Sequence, residues 1–147
     1  MTQEETTFAG ARTSSFALNP DVAIVVDLTF ATDQPGVELG TMTKHPLDSG
    51  PVIGRGTILH PRVFELLHDA GERESIPFTV ESLGRATGTD ADAVHLSRAG
   101  IPTGLVSVPC RYMHSPVEMV AVEDVNAAAR LIAAFAKALE PGMSFER

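Results

Sequence analysis

Two mostly apolar segments stand out along the chain, and each predicts a buried β-strand. Val22–Val26 is continuously aliphatic, and Thr103–Val108 is rich in valine and leucine. Apolar runs without polar alternation are typical of strands that are covered on both faces in a parallel sheet. We expect the second strand to stop at Pro109, because proline cannot donate to a sheet ladder. His114 is then expected in the polar turn beyond that strand.

Amphipathic patterns predict two helices, and a short segment of mixed composition could form another. The first of the two best-defined helices is expected to begin at Pro61, which suits a first helical position, and to end at Gly71. The second, Val122–Leu139, has acidic residues in its first turn. A shorter helix is predicted within Thr6–Ala17, before Asn19-Pro20. The apolar stripes comprise Val63, Phe64, Leu66, Leu67 and Ala70 in the first helix, and Val125, Ala128, Ile132, Phe135 and Leu139 in the second.

The remaining segments suggest one further strand and a long loop. Ile76–Leu83 is predicted to be a strand. Ala31–Gly56 is predicted to be a long loop with a short edge strand at Pro51–Ile53. Thr89 and Asp92 resemble a capping box for a helix that runs towards Gly100, whose amino terminus could hold an anion or a substrate carbonyl. Strands alternate with helices, so the predicted fold class is α/β with a largely parallel sheet.

Composition narrows the function. The 147 residues are expected to form one domain, and the net charge of −8 without a basic block argues against nucleic acid and anionic membranes as partners. No apolar run approaches the length of a membrane span. Met1–Phe8 is acidic and polar, so no secretory signal is visible. Cys110 is the sole cysteine, which excludes an intrachain disulfide and suits a cytoplasmic protein.

Candidate metal ligands follow from the two apolar strands. If these strands are parallel neighbours, Asp27 and His114 emerge at the same edge of the sheet, where crevices of α/β folds lie. Asp27 could equally cap the next turn. Glu4 and Glu5 are either a solvated terminus or a general base beside a ligand, and Glu, Asp and His are the ligands of catalytic zinc. His60 could face the same crevice or be an ordinary loop residue.

Several ordered motifs carry a resemblance that covers nearly the whole chain. The chain resembles the catalytic half of the tetrahedral (TET) metallo-aminopeptidases, a family of glutamyl and deblocking aminopeptidases of which some have been labelled endoglucanases. The matching motifs, in order, are Thr2-Gln3-Glu4-Glu5, Gly10-Ala11-Arg12-Thr13-Ser14, Pro20-Asp21, Val26-Asp27-Leu28-Thr29, Pro51-Val52-Ile53, His60-Pro61, Gly88-Thr89-Asp90-Ala91, Gly100-Ile101-Pro102-Thr103 and Arg111-Tyr112-Met113-His114-Ser115.

The resemblance implies a fold and a chemistry. The expected architecture is a three-layer αβα sandwich like that of other zinc exopeptidases. The expected cofactors are two divalent metal ions, zinc or cobalt, which share a bridging water and a bridging aspartate. By this resemblance Glu4 is the general base, Glu5 and His114 hold one metal, and Asp27 holds the other. Substrate-binding candidates at the remaining motifs are His60, Gly88, Thr89 and Asp90.

The chain also departs from the family pattern. In the family a first histidine and the bridging aspartate precede the Glu-Glu pair, whereas three residues precede Glu4 here. Where the family usually shows Val-Gly-Leu-Arg-Gly, this chain has Thr6-Thr7-Phe8-Ala9-Gly10. We therefore expect residues 1–147 to be the carboxyl-terminal part of a catalytic domain, incomplete at its amino-terminal side, that joins a homo-oligomer or an upstream polypeptide completing its sheet.

Two other functions compete with a peptide-hydrolysing aminopeptidase. The first is a non-catalytic remnant or scaffold domain of the same fold. The second is a carbohydrate hydrolase that uses Glu4 and Glu5 as paired acids. The second is disfavoured because adjacent glutamates need not span a glycosidic bond, and the chain has no Trp and one Tyr to form an aromatic sugar platform.

Overall fold

A mixed sheet forms the middle of the molecule. The computed structural model describes residues 1–37, 40 and 43–146, and within them the strand order is β1-β4-β2-β3, with β5 paired to β4. The elements are α1 (Glu4–Thr7), α2 (Ala9–Leu18), β1 (Ala23–Phe30), β2 (Val52–Gly56), α3 (Pro61–Arg73), β3 (Thr79–Leu83), α4 (Ala91–Val94), β4 (Thr103–Arg111), β5 (Met119–Val120) and α5 (Val122–Lys137). Part of the predicted loop Ala31–Gly56 lies outside the described residues.

The ladders between strands are of two kinds. The long ladders β1–β4 and β2–β3 are parallel, and the short ladders β2–β4 and β4–β5 are antiparallel. The predicted α/β class with a largely parallel sheet is therefore confirmed. No helix in the described part of the chain is long and apolar enough to cross a bilayer.

Helices cover both faces of the sheet, which gives three layers. On one face, Val106 and Val108 of β4 pack against α3 and α5, with Leu67 and Leu131 fully buried between them. On the other face, Leu105 packs with residues of α2 and α4. Successive residues of β4 therefore contact opposite helical layers, as the alternation of side chains along a strand requires.

The first predicted strand differs from its expected burial. β1 lies at the edge of the sheet, and Val26 and Phe30 keep 56% and 44% of their surface exposed. The prediction that Val22–Val26 is buried on both faces is therefore wrong. Ile24 and Leu28, on the same face as Val26, pack against the α3 and α5 layer, whereas Val26 is left outside it. Asp27 lies inside β1 opposite Ser107, rather than after the strand.

The second predicted strand is longer than expected. β4 continues through Pro109, which is paired with Thr29 of β1. On its other side, pairing with β2 ends at Ser107 and pairing with β5 starts at Cys110. Proline is tolerated because it falls at this interruption of the ladder. The expected edge strand at Pro51–Ile53 is wrong as well, since β2 lies inside the sheet between β4 and β3.

Two helix predictions need correction in their ends or faces. α3 continues past Gly71 to Arg73, and a Cβ at Gly71 would come within 2.6 Å of the Phe78 ring, so this glycine permits close packing rather than ending the helix. In α5, Val125 is 45% exposed. The other predicted residues of the stripe contact the core, since Ala128 and Phe135 are buried and Ile132 and Leu139 are partly buried against it. The buried residues of α5 are Asp124, Ala127, Ala128, Leu131, Ala134 and Phe135.

Candidate active site

Four predicted site residues line one cavity on the α2 and α4 side of the sheet. Glu4, Glu5, Asp27 and His114 surround a space of about 340 Å³. Carboxylates and a histidine that come from three separate parts of the sequence are therefore brought together. Further lining residues are Leu28, Thr29, Phe30, Glu81, Leu83, Thr87, Gly88, Thr89, Leu105, Ser107 and Met113.

The two glutamates stand on the single turn of α1. The turn is closed by the carbonyl oxygen of Gln3, which accepts the amide of Phe8 at 2.9 Å. Phe8 then takes a left-handed conformation, with φ of 53°, and separates α1 from α2. The predicted single helix over Thr6–Ala17 is thus two helices, and the break leaves Glu4 half-buried and Glu5 exposed at the cavity.

Asp27 is half-buried on the cavity face of β1. Its carboxylate accepts the amide of Leu28 at 2.8 Å. Burial raises the pKa of Asp27, the Leu28 hydrogen bond opposes that shift, and the negative charges of Asp90 and Glu5 add to it. The charged form of Asp27 is therefore disfavoured until a positive charge approaches it.

Glu4 has a similar electrostatic environment. Burial is the largest cause that raises the pKa of Glu4, followed by the negative charges of Asp27, Glu5 and Asp90. A carboxylate with a raised pKa is a better proton acceptor near neutral pH than an ordinary one. The mutual repulsion of these carboxylates is also what a bound cation would relieve.

His114 follows β4 in a tight turn and contacts Glu5. Its Nε2 lies 3.5 Å from Oε1 of Glu5, and the two side chains are 65% and 73% exposed. Two ligand atoms that are each about 2.1 Å from a tetrahedral zinc lie about 3.4 Å apart. The separation observed between Glu5 and His114 fits a shared metal ion.

Beyond this pair, the metal shell within the described residues is incomplete. No group of three or more His, Cys, Asp or Glu side chains in residues 1–37, 40 and 43–146 is placed to hold a metal ion. Catalytic zinc usually has three protein ligands. The donor set therefore fits part of a metal centre and not a complete one.

The remaining wall is a loop that is fixed by its own hydrogen bonds. The carboxylate of Asp92 accepts the amide of Thr87 at 2.8 Å and the amide of Gly88 at 3.1 Å. Thr89 Oγ1 accepts the amide of Ala91 at 3.2 Å. Asp92 thus reaches back to Thr87 and not to Thr89, so the predicted capping box is wrong. The loop still presents Gly88 and Thr89 to the cavity.

Known proteins share this arrangement of elements. The family described as M42 glutamyl aminopeptidase matches residues 1–131. The chain belongs to this family. The resemblance to TET metallo-aminopeptidases is thereby confirmed, since TET aminopeptidases are among the solved structures that the chain matches.

Three relatives of this M42 chain show the extent of the likeness. A lysyl aminopeptidase of Pyrococcus furiosus is 38% identical over 139 residues, which are 95% of this chain and 39% of that protein. A TET aminopeptidase from the marine sediment archaeon Thaumarchaeota archaeon SCGC AB-539-E09 is 29% identical, with a TM-score of 0.87 over 95% of this chain and 39% of that one. A TET peptidase of Pyrococcus horikoshii is 26% identical, with a TM-score of 0.71 over 93% of this chain and 39% of that one, and can assemble into a tetrahedron or a large octahedral shell.

The relatives are much longer than this chain. This M42 chain spans about 39% of the length of the relatives it matches. The family membership and the fold are shared across that span. The activity, substrates and partners of those relatives are properties of the longer proteins, of which the matched part is about 39%.

Two substrate-binding candidates of the M42 chain lie outside the cavity lining. His60 is buried just before α3 and lines a separate space of about 310 Å³ with His95, Gly100 and Phe145. The structure therefore contradicts the expectation that His60 faces the crevice of His114. Asp90 is also buried and does not line the cavity, although Gly88 and Thr89 beside it do.

The sequence did not predict one cavity residue, Glu81 of β3. Glu81 lines the cavity, and its Oε2 accepts a hydrogen bond from Thr29 Oγ1 at 3.1 Å. Glu81 is paired with Gly54 across the β2–β3 ladder, and the space beside Gly54 is filled by the side chains of Leu59 and Leu105. The signal was the alternation along β3, which becomes informative only once its register with β2 is known.

Proposed function

We propose that this chain supplies part of the active site of a metal-dependent aminopeptidase, which removes amino-terminal residues from peptides. The observation that carries the proposal is the meeting of Glu4, Glu5, Asp27 and His114 in one cavity, with Glu5 and His114 separated by 3.5 Å. Membership of the M42 family supports it. The substrate would be a peptide, held with its amino terminus at the carboxylates.

The proposed roles follow from the position of each side chain. Glu5 and His114 would hold one metal ion and Asp27 the other. When bound, two divalent cations, zinc or cobalt, would supply polarisation of the scissile carbonyl and acidification of an attacking water. Glu4, half-buried and with a raised pKa, would accept the proton of that water and pass it to the leaving amine. Adjacent glutamates can differ in role because they differ in exposure.

Substrate contacts are proposed for the wall formed by Gly88 and Thr89. Their loop is held by Asp92, so it can present backbone groups to a peptide without rearranging. Asp90 would act from behind this wall through its charge, which already raises the pKa of Glu4 and of Asp27. A cytoplasmic location stays a prediction, supported by the single cysteine.

Ligand number supports a further part of the proposal. Three ligands shared between two metals leave one metal with two protein ligands and the other with one, fewer than a catalytic zinc normally has. We propose that residues 1–147 act as the carboxyl-terminal part of a catalytic domain, and that another polypeptide segment completes the metal shell. The alternative function is a non-catalytic scaffold domain. The shortage of metal ligands in the described residues is also what such a domain would show.

Hydrolysis by the isolated chain tests this proposal. The isolated chain of 147 residues is expected to bind added zinc or cobalt weakly, because each metal would lack part of its shell. Its hydrolysis of aminoacyl-anilides is expected to be barely faster than that of the metal in buffer. The measurement is anilide hydrolysis over a metal titration, with Glu4→Gln as the matched control. Robust turnover that Glu4→Gln abolishes would show that the chain is sufficient by itself.

Association through the open sheet edge is proposed as the second property of the chain. Among the described residues, β1 is an edge strand, and Val26 and Phe30 on it are exposed apolar side chains. The related Pyrococcus horikoshii peptidase can assemble into a tetrahedron or a large octahedral shell. We propose that β1 lies at a contact with a second copy or with the polypeptide that completes the sheet.

Light scattering over a dilution series measures this association. The purified chain is expected to self-associate at tens of micromolar, and Val26→Lys is expected to reduce the association. Leu96→Lys is a matched control, because Leu96 is 73% exposed and follows α4, outside β1. A monodisperse monomer with a cooperative melt, or an equal effect of both substitutions, would contradict the proposal.

A further inference from the structure

The turn that presents His114 is held by a loop that lies 78 residues earlier in the sequence. Arg111, the last residue of β4, donates from Nε to Oδ1 of Asp33 at 3.2 Å and from Nη2 to Oδ2 of the same carboxylate. Next to this two-pronged ion pair, the amide of Tyr112 donates to Oε1 of Gln34 at 2.8 Å. Neither contact involves a residue that lines the cavity.

The backbone of this turn needs such support. Tyr112 and His114 both have left-handed conformations, with φ of 60° and 64°. Residues with side chains adopt this region at a cost, so it persists where surrounding contacts hold it. On the opposite side of the turn, the amide of His114 donates to Oε1 of Glu118 at 2.6 Å. The turn is therefore fixed from two directions.

The same loop continues the strand that carries Asp27. β1 ends at Phe30, and the amide of Ala31 donates to the carbonyl oxygen of Cys110 at 2.9 Å, which extends the parallel ladder into the loop. Asp33 follows two residues later. One segment thus carries a candidate ligand, Asp27, and also anchors the turn that carries another, His114.

We propose that the ion pair between Asp33 and Arg111 is a positioning device, which keeps the His114 turn in the conformation that places the imidazole beside Glu5. The metal-binding consequence of this role rests on the proposed function. The ion pair is two-pronged, with hydrogen bonds from Nε and Nη2 of Arg111 to the two oxygens of Asp33, and both side chains are partly shielded from solvent, at 29% and 31% exposed. The pKa of Asp33 is lowered, chiefly by its hydrogen bond from Arg111, so the carboxylate is charged at neutral pH.

The test compares four variants of the full chain, of which the fourth is Arg111→Lys, by two measurements. Asp33→Asn removes the charge, Asp33→Glu is the conservative rescue, and Glu65→Gln is the matched control, since its partner Arg62 forms an exposed i,i+3 pair away from the cavity. The first measurement is the nuclear Overhauser contact between the His114 ring and the Glu5 side chain in metal-free protein. The second is a zinc titration followed by the His114 ring nitrogen shifts.

Asp33→Asn is expected to lose the His114–Glu5 contact and to raise the zinc midpoint about tenfold, a loss typical of residues that orient a metal ligand. Asp33→Glu should restore both, and Glu65→Gln should change neither. Arg111→Lys, which keeps the charge but not the two-pronged geometry, should shift the midpoint in the same direction. An Asp33→Asn protein that keeps the contact and the midpoint overturns the proposal. A wild-type protein that shows the contact, but no zinc effect on His114, instead overturns the proposed metal pair and leaves the positioning role standing.

Discussion

Replacement of Asp124 by alanine is expected to lower the free energy of unfolding by about 3 kcal/mol. Asp124 is 1% exposed, although it is an acidic residue in the first turn of α5, and burial raises its pKa while the amides of Gly50 and Asp48 oppose that shift. Its Oδ1 accepts the amide of Gly50 at 2.7 Å, and its Oδ2 accepts the amide of Asp48 at 2.9 Å. Alanine would leave two backbone donors without acceptors at the point where the chain enters β2, and unsatisfied buried donors are costly.

Chemical denaturation of the variant and of a matched control measures this effect. Glu123→Ala removes the neighbouring carboxylate of the same helical turn, but Glu123 is exposed. The control is expected to lie within about 0.5 kcal/mol of the parent, as surface substitutions usually do. Equal midpoints for Asp124→Ala and Glu123→Ala would show that the buried contacts of Asp124 do not stabilise the fold.

The largest functional effect is expected for Glu4 in a completed enzyme. If the unmatched part of the Pyrococcus furiosus lysyl aminopeptidase is joined ahead of this chain, the chimera is expected to hydrolyse aminoacyl-anilides. Glu4→Gln should then lower kcat by about 10²–10⁴, the usual contribution of a general base. Zinc content should be unchanged, because Glu4 is proposed to accept a proton and not to bind metal.

The adjacent residue supplies the matched control for this experiment. Glu5→Gln removes the same charge one position further along, but its carboxylate lies 3.5 Å from His114. It is expected to lower both zinc content and kcat. If Glu4→Gln releases as much zinc as Glu5→Gln does, the proposed division of roles between the two glutamates is wrong.

Local pattern was sufficient for the main elements and insufficient for their surroundings. The apolar runs at β1 and β4 are strands, and they are parallel neighbours as assumed, with Asp27 opposite Ser107. The composition of β1 could not reveal the exposure of Val26 and Phe30, because that exposure depends on how far the covering helices extend over the strand. The prediction that the strand stops at Pro109 was wrong because a proline is tolerated where the neighbouring ladder is interrupted.

The candidate site shows the same division. Asp27 and His114 line one cavity, as the expected parallel pairing of their strands suggested, but Asp27 lies inside β1 opposite Ser107 and not at the end of the strand. The position of Glu81 could not be predicted in this way, because Glu81 lines the cavity only through the pairing of β3 with β2. His60 was a candidate for the cavity of His114 but lines a different one. Its position depends on the path of the chain after β2, which the sequence pattern does not show.

Anomalous diffraction at the zinc edge, from crystals of this chain grown with zinc, tests the central claim most directly. The predicted result is a peak about 2.0–2.2 Å from the Glu5 carboxylate and from His114 Nε2, which disappears in His114→Ala. The pair His68 and Asp69 on α3, whose Nδ1 and Oδ1 are 3.7 Å apart, serves as an internal comparison because it is not proposed to bind metal. Zinc at His68, with none between Glu5 and His114, would contradict the assignment of this cavity as part of a metallo-aminopeptidase active site.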